Sequence, residues 1–493
     1  MTHSNRLLAK AAAILLAALG LAPALGGCST NPATGQPTFT AFMSESDEVQ
    51  IGREEHPKIT EEFGGAYGDP EITRYVESIG QFLASTSERP DLKFTFTVLD
   101  SPVVNAFALP GGYVYITRGL MALANSEAEV AGVLGHEIGH VTARHSAQRY
   151  SQAMLANIGL MGVAIATGSS AIANVAGAGA SVYLQSYSRD QEFEADVLGV
   201  RYISRATYEP QAMASFLNNL LADTRLEARI AGQPEAADEY NIMATHPRTA
   251  DRVQRAIEAA GERPVGNPMI ERDIYLAKID GMLYGDDPDE GFILGRRFAH
   301  PKLKFEFTVP EDFRLHNSAD AVIARGPDGA GIQFDQAPGA PSGDLMDYLA
   351  HTWGKNVSLK NLERITVNGL EGATATARVS TQSGTADLRL AAIRFDAKTV
   401  YRFLFITAPD QTASLSEGLR RTTYSFRKLT DAEAAALKPQ RIRVVTVQPG
   451  DTVASLAARL PFEDYKVERF RTLNGLAEGA ALTPGQKVKL VAE

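Results

Sequence analysis

One cysteine in 493 residues, Cys28, excludes any intramolecular disulfide and removes the usual compositional sign of an exported protein. Basic residues are outnumbered, 48 Lys and Arg against 58 Asp and Glu, and the net charge of −10 repels phosphate, which disfavours a nucleic-acid role. Long apolar runs are missing as well. The two longest candidates, Ala11 to Leu21 and Ile158 to Ala166, fall short of the ~18–20 residues that a spanning helix requires, so a multi-span membrane bundle is excluded. No period near ~34 residues recurs, which argues against a helical repeat array. What is present is a folded-protein composition, 44% hydrophobic and 22% charged, in a chain long enough for about three domains.

Residues 1–27 combine a short basic start (Arg6, Lys10), the apolar stretch from Ala11 and small residues running into Leu25-Gly26-Gly27-Cys28. This reads as a secretory signal ending in a lipobox, and it resembles the leaders of bacterial lipoproteins. The resemblance implies that Cys28 becomes the acylated mature N-terminus, anchored stably by several chains. Ser29 after it favours sorting to the outer membrane, on its periplasmic face. Cleavage after Ala22-Pro23-Ala24 is the alternative and would leave a free periplasmic protein. The stretch 28–44, with Pro32, Gly35 and Pro37, reads as a tether.

Helical patterning begins at Ser44 and alternates with short strands (Phe94 to Leu99, Gly112 to Thr117) over residues 45–262. The Asp- and Gly-rich text of 263–299, around one helical piece from Ile274 to Leu283, reads as a connector. Seven strand-like segments between Lys304 and Ile406, with helices expected at Gly343 to Gly354 and Thr412 to Ser425, give an antiparallel α+β domain over 300–430. Residues 441–493 read as a separate small unit. The fold class is therefore α+β.

His136-Glu137-Ile138-Gly139-His140 lies in a helix expected to begin at Ser126, with Ser126 and Glu129 as a capping box. The i, i+4 spacing puts both imidazoles on one face with Glu137 beside them, the arrangement of a zinc site; such a motif arises by chance on the order of 0.01 times in a chain of this composition. A catalytic zinc wants a third protein ligand and an open position. Ser188 and Gln191 form a second capping box, and on the helix they start Glu192 and Asp196 share a face. Glu192 is assigned as the third ligand and Asp196 as the carboxylate accepting the outer N–H of a ligating imidazole, His136. Glu194 is the competitor. His145, five residues past His140, falls off the ligand face and reads as structural.

These motifs, together with Asn105-Ala106-Phe107-Ala108-Leu109-Pro110-Gly111-Gly112-Tyr113 before them and Thr245-His246-Pro247-Arg248 after, resemble the zinc metallopeptidase family of the CAAX prenyl protease and HtpX type, including its periplasmic BepA- and LoiP-like members. The resemblance covers about 45–262. It implies a mostly helical gluzincin-type domain with a small edge sheet and one zinc ion per chain. It also implies that Asn105, Ala106, Phe107, Gly111 and Gly112 line the substrate, which adds as a strand. Glu137 would be the general base, and His246 or Arg252 the second electrophile for the oxyanion. His246 has two further readings, a gate that occupies the open metal position and a plain helix-start residue. The uncharged stretch from Tyr150 to Ser188 is expected either as a lid or interface segment or as buried helices.

Val447-Gln448-Pro449-Gly450-Asp451-Thr452 and Pro484-Gly485-Gln486 are similar to the turns of a LysM module, a βααβ unit that binds peptidoglycan. Glycan contact and a structural or protein-docking role stay open, because the loop after Thr452 lacks stacking aromatics. Residues 300–430 faintly resemble PsbP-like folds. The expected function is a zinc endopeptidase acting on misfolded or stalled cell-envelope proteins, with outer-membrane assembly machinery as a further partner. The alternative is a periplasmic assembly chaperone with latent proteolysis; a peptidoglycan hydrolase is the third reading.

Overall fold

The computed structural model describes residues 28–155, 186–230, 249–318, 321–339, 341, 343–381 and 384–493. They form two compact units, one made of the described residues up to Tyr284 with Arg441–Ala492, the other of Gly285–Gln440. The class is α+β.

The first unit opens with an antiparallel hairpin, β1 (Cys28–Thr30) and β2 (Pro37–Phe39). Asn31, Ala33, Thr40 and Met43 are buried, so this stretch is folded onto the body and is not the tether its Pro and Gly content suggests. Helices α1 (Glu45–Glu62) and α2 (Pro70–Ser85) follow. In α2 the Asp69 carboxylate caps the N-terminus, and Ile72, Val76, Ile79 and Leu83 make one buried stripe at helical spacing. A three-stranded sheet, β3 (Thr95–Leu99), β4 (Ala106–Leu109) and β5 (Tyr113–Thr117), has the order β3-β5-β4, so β4 is one of its two outer strands. Alternation along β4 sends Ala106 and Ala108 into the main core, and Phe107 and Leu109 into a smaller cluster with Ile59, Leu99 and Tyr115.

Next come α3 (Arg118–Leu123) and α4 (Glu127–Thr142), the latter carrying the two histidines. Ser126 caps α4 by accepting from the Glu129 N–H at 3.2 Å. The reciprocal half of the expected box is replaced: the Glu129 carboxylate accepts from Asn125 N (2.7 Å) and Ser215 Oγ (2.6 Å) instead. The chain continues through α5 (Arg189–Arg205), α6 (Ala212–Ile230), α7 (Thr249–Gly261), α8 (Arg272–Ile279) and β6 (Leu283–Tyr284). Helices α4 and α5 approach closely because glycines face each other across the contact. A Cβ on Gly139 would stand 3.1 Å from the Ala195 carbonyl oxygen, and one on Gly199 would stand 2.9 Å from His136 N. That approach brings the two motifs together.

The second unit begins with β7 (Phe292–Leu294), β8 (Arg297–His300) and β9 (Phe305–Thr308), then β10 (Arg314–Asn317), β11 (Val322–Arg325) and β12 (Gly331–Gln336). After α9 (Leu345–Tyr348) come β13 (Lys360–Val367), β14 (Leu370–Thr381), β15 (Gly384–Arg394), β16 (Val400–Thr407), α10 (Thr412–Ser425), β17 (Arg427–Lys428) and α11 (Asp431–Ala436). A seven-stranded antiparallel sheet runs β10-β11-β12-β16-β15-β14-β13, and a four-stranded sheet runs β17-β9-β8-β7. Phe305, Phe334, Tyr401, Phe403 and Phe426 pack together as its aromatic core. The unit starts earlier than residue 300 because β7 and β8 pair with β9. The helix expected over Gly343 to Gly354 is one α-turn continued by a wider π-type turn, Leu349–Trp353.

Residues 441–492 return to the first unit. Strand β18 (Gln440–Thr446), α12 (Val453–Ala457), α13 (Lys466–Leu473) and β19 (Lys487–Ala492) have the expected βααβ order. They are not a separate body. β6 joins their sheet in the order β19-β18-β6, and Ile442, Phe470 and Val488 belong to the same hydrophobic cluster as α2 and α4. The Lys489 ammonium is buried and donates to the carbonyls of Ala122 (2.6 Å), Leu123 (3.2 Å) and Ala124 (2.6 Å) at the end of α3. Nor is 263–299 a connector throughout, since Tyr275, Leu276 and Ile279 of α8 are fully buried in that same cluster.

Candidate metal centre

His136, His140 and Glu192 offer donor atoms that all lie within 4.8 Å of one another, and all three side chains are buried. The Nε2 atoms of the two imidazoles are 3.0 Å apart. Glu192 reaches them with Oε2 at 3.7 Å from His136 Nε2 and Oε1 at 3.4 Å from His140 Nε2. Two ring nitrogens facing at that distance can bond only if one carries a proton, and a cation held by both lone pairs takes that proton's place. Two imidazoles and one carboxylate are a donor set suited to zinc. The residues present therefore fit a metal.

The outer nitrogens are held differently. His136 Nδ1 lies 2.9 Å from Asp196 Oδ1, so the carboxylate fixes the tautomer that leaves Nε2 free to ligate. Burial alone would raise the Asp196 pKa, but the Arg252 guanidinium, donating through Nε at 2.8 Å and Nη2 at 2.7 Å, holds it below its ordinary value. Arg252 also pairs with Glu192 through Nη1 at 2.8 Å. Its role in this structure is thus to bind both acidic groups, which differs from a guanidinium aimed at an oxyanion. Burial of His140 pushes its pKa well below the ordinary histidine value, which favours the neutral, ligating form.

His140 Nδ1 meets His145 Nδ1 at 2.8 Å, and His145 Nε2 meets Glu194 Oε2 at 3.2 Å. His145 is not in the donor set, as expected of a residue off the ligand face, but its ring meets the outer nitrogen of a ligand. A residue five places on would point away if α4 continued, but α4 ends at Thr142 and Arg144 adopts a left-handed φ of 60°. The reversal swings His145 back onto His140. No periodicity in the sequence signals it. Glu194, the competing third ligand, is occupied with His145 and lies outside the donor cluster. Tyr187, also missed, stacks on the His140 ring at 3.7 Å, with the Arg149 guanidinium 3.7 Å over its other side.

Glu137 is buried beside His136 on α4. A small cleft is lined by Ala108, Leu109, Pro110 and Gly111 of β4 and its turn, and by His140 and Tyr187. The end of β4 is thereby placed next to a metal ligand. Of the expected substrate residues, Phe107 is turned into the small aromatic cluster, stacked on Tyr115 at 4.8 Å, so only its backbone is available. Asn105 and Ala106 enter β4, where Asn105 N donates to Thr117 Oγ1 at 3.1 Å. Gly111 and Gly112, at φ of 83° and 93°, make the turn; a Cβ on Gly111 would stand 2.7 Å from the Glu48 carbonyl oxygen. His246, the leader before Cys28 and most of the stretch from Tyr150 to Ser188 lie outside the described residues.

Residues 70–260 match peptidase family M48, and 445–491 match the LysM domain. Over residues 70–260 the chain is thus similar to the M48 peptidases. Within relatives of curated name, the beta-barrel assembly-enhancing protease of Escherichia coli is 33% identical over 222 residues, covering 43% of this chain and 43% of its own. The mitochondrial metalloendopeptidase OMA1 of Schizosaccharomyces pombe is 27% identical over 222 residues, 44% of this chain and 62% of its own. The chain thus spans about half the length of the bacterial relatives it matches. Among solved structures, cyanobacterial PsbP from Synechocystis sp. PCC 6803 matches 29% of this chain and 98% of its own at 16% identity and a TM-score of 0.22, too low to add to the topology above. Within the matched residues, His136, Glu137, His140, Glu192 and Asp196 all stand on α4 and α5, the two helices that the glycine contacts draw together.

Proposed function

We propose that this chain is a zinc-dependent endopeptidase of the bacterial cell envelope that cuts misfolded or stalled envelope proteins, anchored through acylated Cys28 to the periplasmic face of the outer membrane. The observation that carries the reading is the convergence of His136, His140 and Glu192 with Glu137 on the same helix. A zinc ion held by these three would supply Lewis-acid charge to a water and to the scissile carbonyl. Glu137 takes the proton from the attacking water and delivers it to the leaving amine. Asp196 and Arg252 keep His136 and Glu192 in place, and the outer edge of β4 aligns an extended polypeptide beside His140.

The envelope setting draws on the lipobox and on the printed name of the bacterial relative, a protease of β-barrel assembly. No helix among the described residues is long and apolar enough to cross a membrane. The LysM-like residues support contact with peptidoglycan, and outer-membrane assembly machinery is the proposed protein partner.

Purified chain from residue 28 onward, wild type against Glu137→Gln, is tested for cleavage of casein and of an unfolded outer-membrane protein, with zinc measured in both samples. The expected result is about one zinc in each and a loss of cleavage of at least ~100-fold in the variant. Equal cleavage by both would sink the assigned role of Glu137. Zinc in both with no cleavage by either would favour the chaperone reading with latent proteolysis.

A further inference from the structure

We propose that the N-terminal hairpin is a working part of the metal centre: Asn31 seats Glu194, Glu194 sets the tautomer of His145, and His145 sets the tautomer of the ligand His140. The inference rests on the zinc reading above and adds three linked residues to it, Asn31, Glu194 and His145.

Asn31 follows β1 directly and is buried. Its Oδ1 accepts from Ala33 N at 2.9 Å, so its Nδ2 is the group that faces Glu194 Oε1, at 2.7 Å. The turn around it is closed by Asn31 N donating to the Gln36 carbonyl and Gly35 N donating to the Asn31 carbonyl, each at 2.8 Å. Arg201 of α5 donates to the Ala33 carbonyl at 3.0 Å and ties the hairpin to the helix that carries Glu192.

The proton order then follows from what each group can do. A carboxylate only accepts, so His145 Nε2, facing Glu194 Oε2, carries the hydrogen and His145 Nδ1 is bare. His140 Nδ1, 2.8 Å away, must donate to it, and the His140 lone pair is left on Nε2, toward His136 and Glu192. His136 reaches the same tautomer by one direct carboxylate, Asp196. An imidazole used as the outer acceptor can itself exist in two tautomers and needs a further group to choose between them; Glu194 makes that choice, and Asn31 holds Glu194 to it. His145 is fully buried, so bulk water does not replace a missing partner. A segment that begins at Cys28 is in this way linked by side chains to a metal ligand.

Zinc affinity is measured on the full chain from residue 28 by competition with a chelating indicator, alongside the melting temperature of the metal-free protein. His145→Phe is expected to weaken zinc binding about 10–100-fold, and Asn31→Ala about 3–10-fold with its metal-free melting temperature unchanged. Asn31→Asp keeps the shape but sets a carboxylate against Glu194, and it is expected to cost more than Asn31→Ala. Wild-type affinity in Asn31→Asp, or affinity losses that merely follow the metal-free melting temperature, overturns the linkage. A wild-type chain that holds no zinc overturns the metal reading, and this inference with it.

Discussion

Removing residues 441–493 is expected to leave no cooperatively folding peptidase. The C-terminal strands and helices complete the core of the first unit, with Ile442, Phe470, Val488 and Leu490 in one cluster with α2, α4 and α8. Lys489 adds a specific lock. Its three N–H donors match three carbonyls at the end of α3, immediately before the helix of the metal ligands. Burial pushes the ammonium pKa down, and the Glu129 carboxylate opposes that; burial in turn raises Glu129. Lys489→Met leaves those carbonyls and Glu129 buried without the cation, at a cost of about 3–5 kcal/mol, roughly 10 °C in melting temperature for a unit of this size. Thermal melts followed by circular dichroism check both. A chain ending at residue 440 that melts within a few degrees of the full one contradicts this account of the C-terminal residues.

Arg252→Met is expected to destabilise the metal-free protein by about 3–5 kcal/mol and the zinc-loaded protein by much less. Arg252 is the buried cation that pairs with both Glu192 and Asp196, so its loss strands two buried carboxylates. Zinc restores one positive partner to Glu192, and Asp196 keeps His136 as a donor. Melting temperatures of wild type and variant, each with chelator and with saturating zinc, decide the matter. An equal loss in both states would mean that Arg252 acts independently of the metal site, and cleavage that falls while all four melting temperatures hold would return it to the oxyanion role.

The metal motif was legible because helix geometry converts an i, i+4 spacing directly into a shared face, and the Ser188 and Gln191 capping box placed the start of the second helix. Strands of the 285–440 unit were legible from alternation, apart from the short β7, β8, β10 and β17. Three features were not legible. His145 depends on one left-handed residue, Arg144, that no composition rule marks. The 28–44 stretch has the Pro and Gly of a tether, yet Asn31 is pinned by Glu194, 163 residues away in sequence. The C-terminal segment shows its own βααβ pattern, but its docking rests on a core shared with α2 and α4, on pairing with β6, and on Lys489, which looks like any surface cation until its acceptors are seen. Local periodicity reports elements, and long-range partners are what it omits.

The measurement that bears most directly on the central claim is zinc K-edge absorption on the full chain from residue 28, with zinc content, for wild type, His140→Ala and Glu192→Ala. The account predicts one zinc per chain in wild type, bound by two imidazoles and oxygen donors, and loss of that zinc or of the corresponding scatterer in each variant. Less than stoichiometric zinc in wild type, or an unchanged spectrum in both variants, would contradict it.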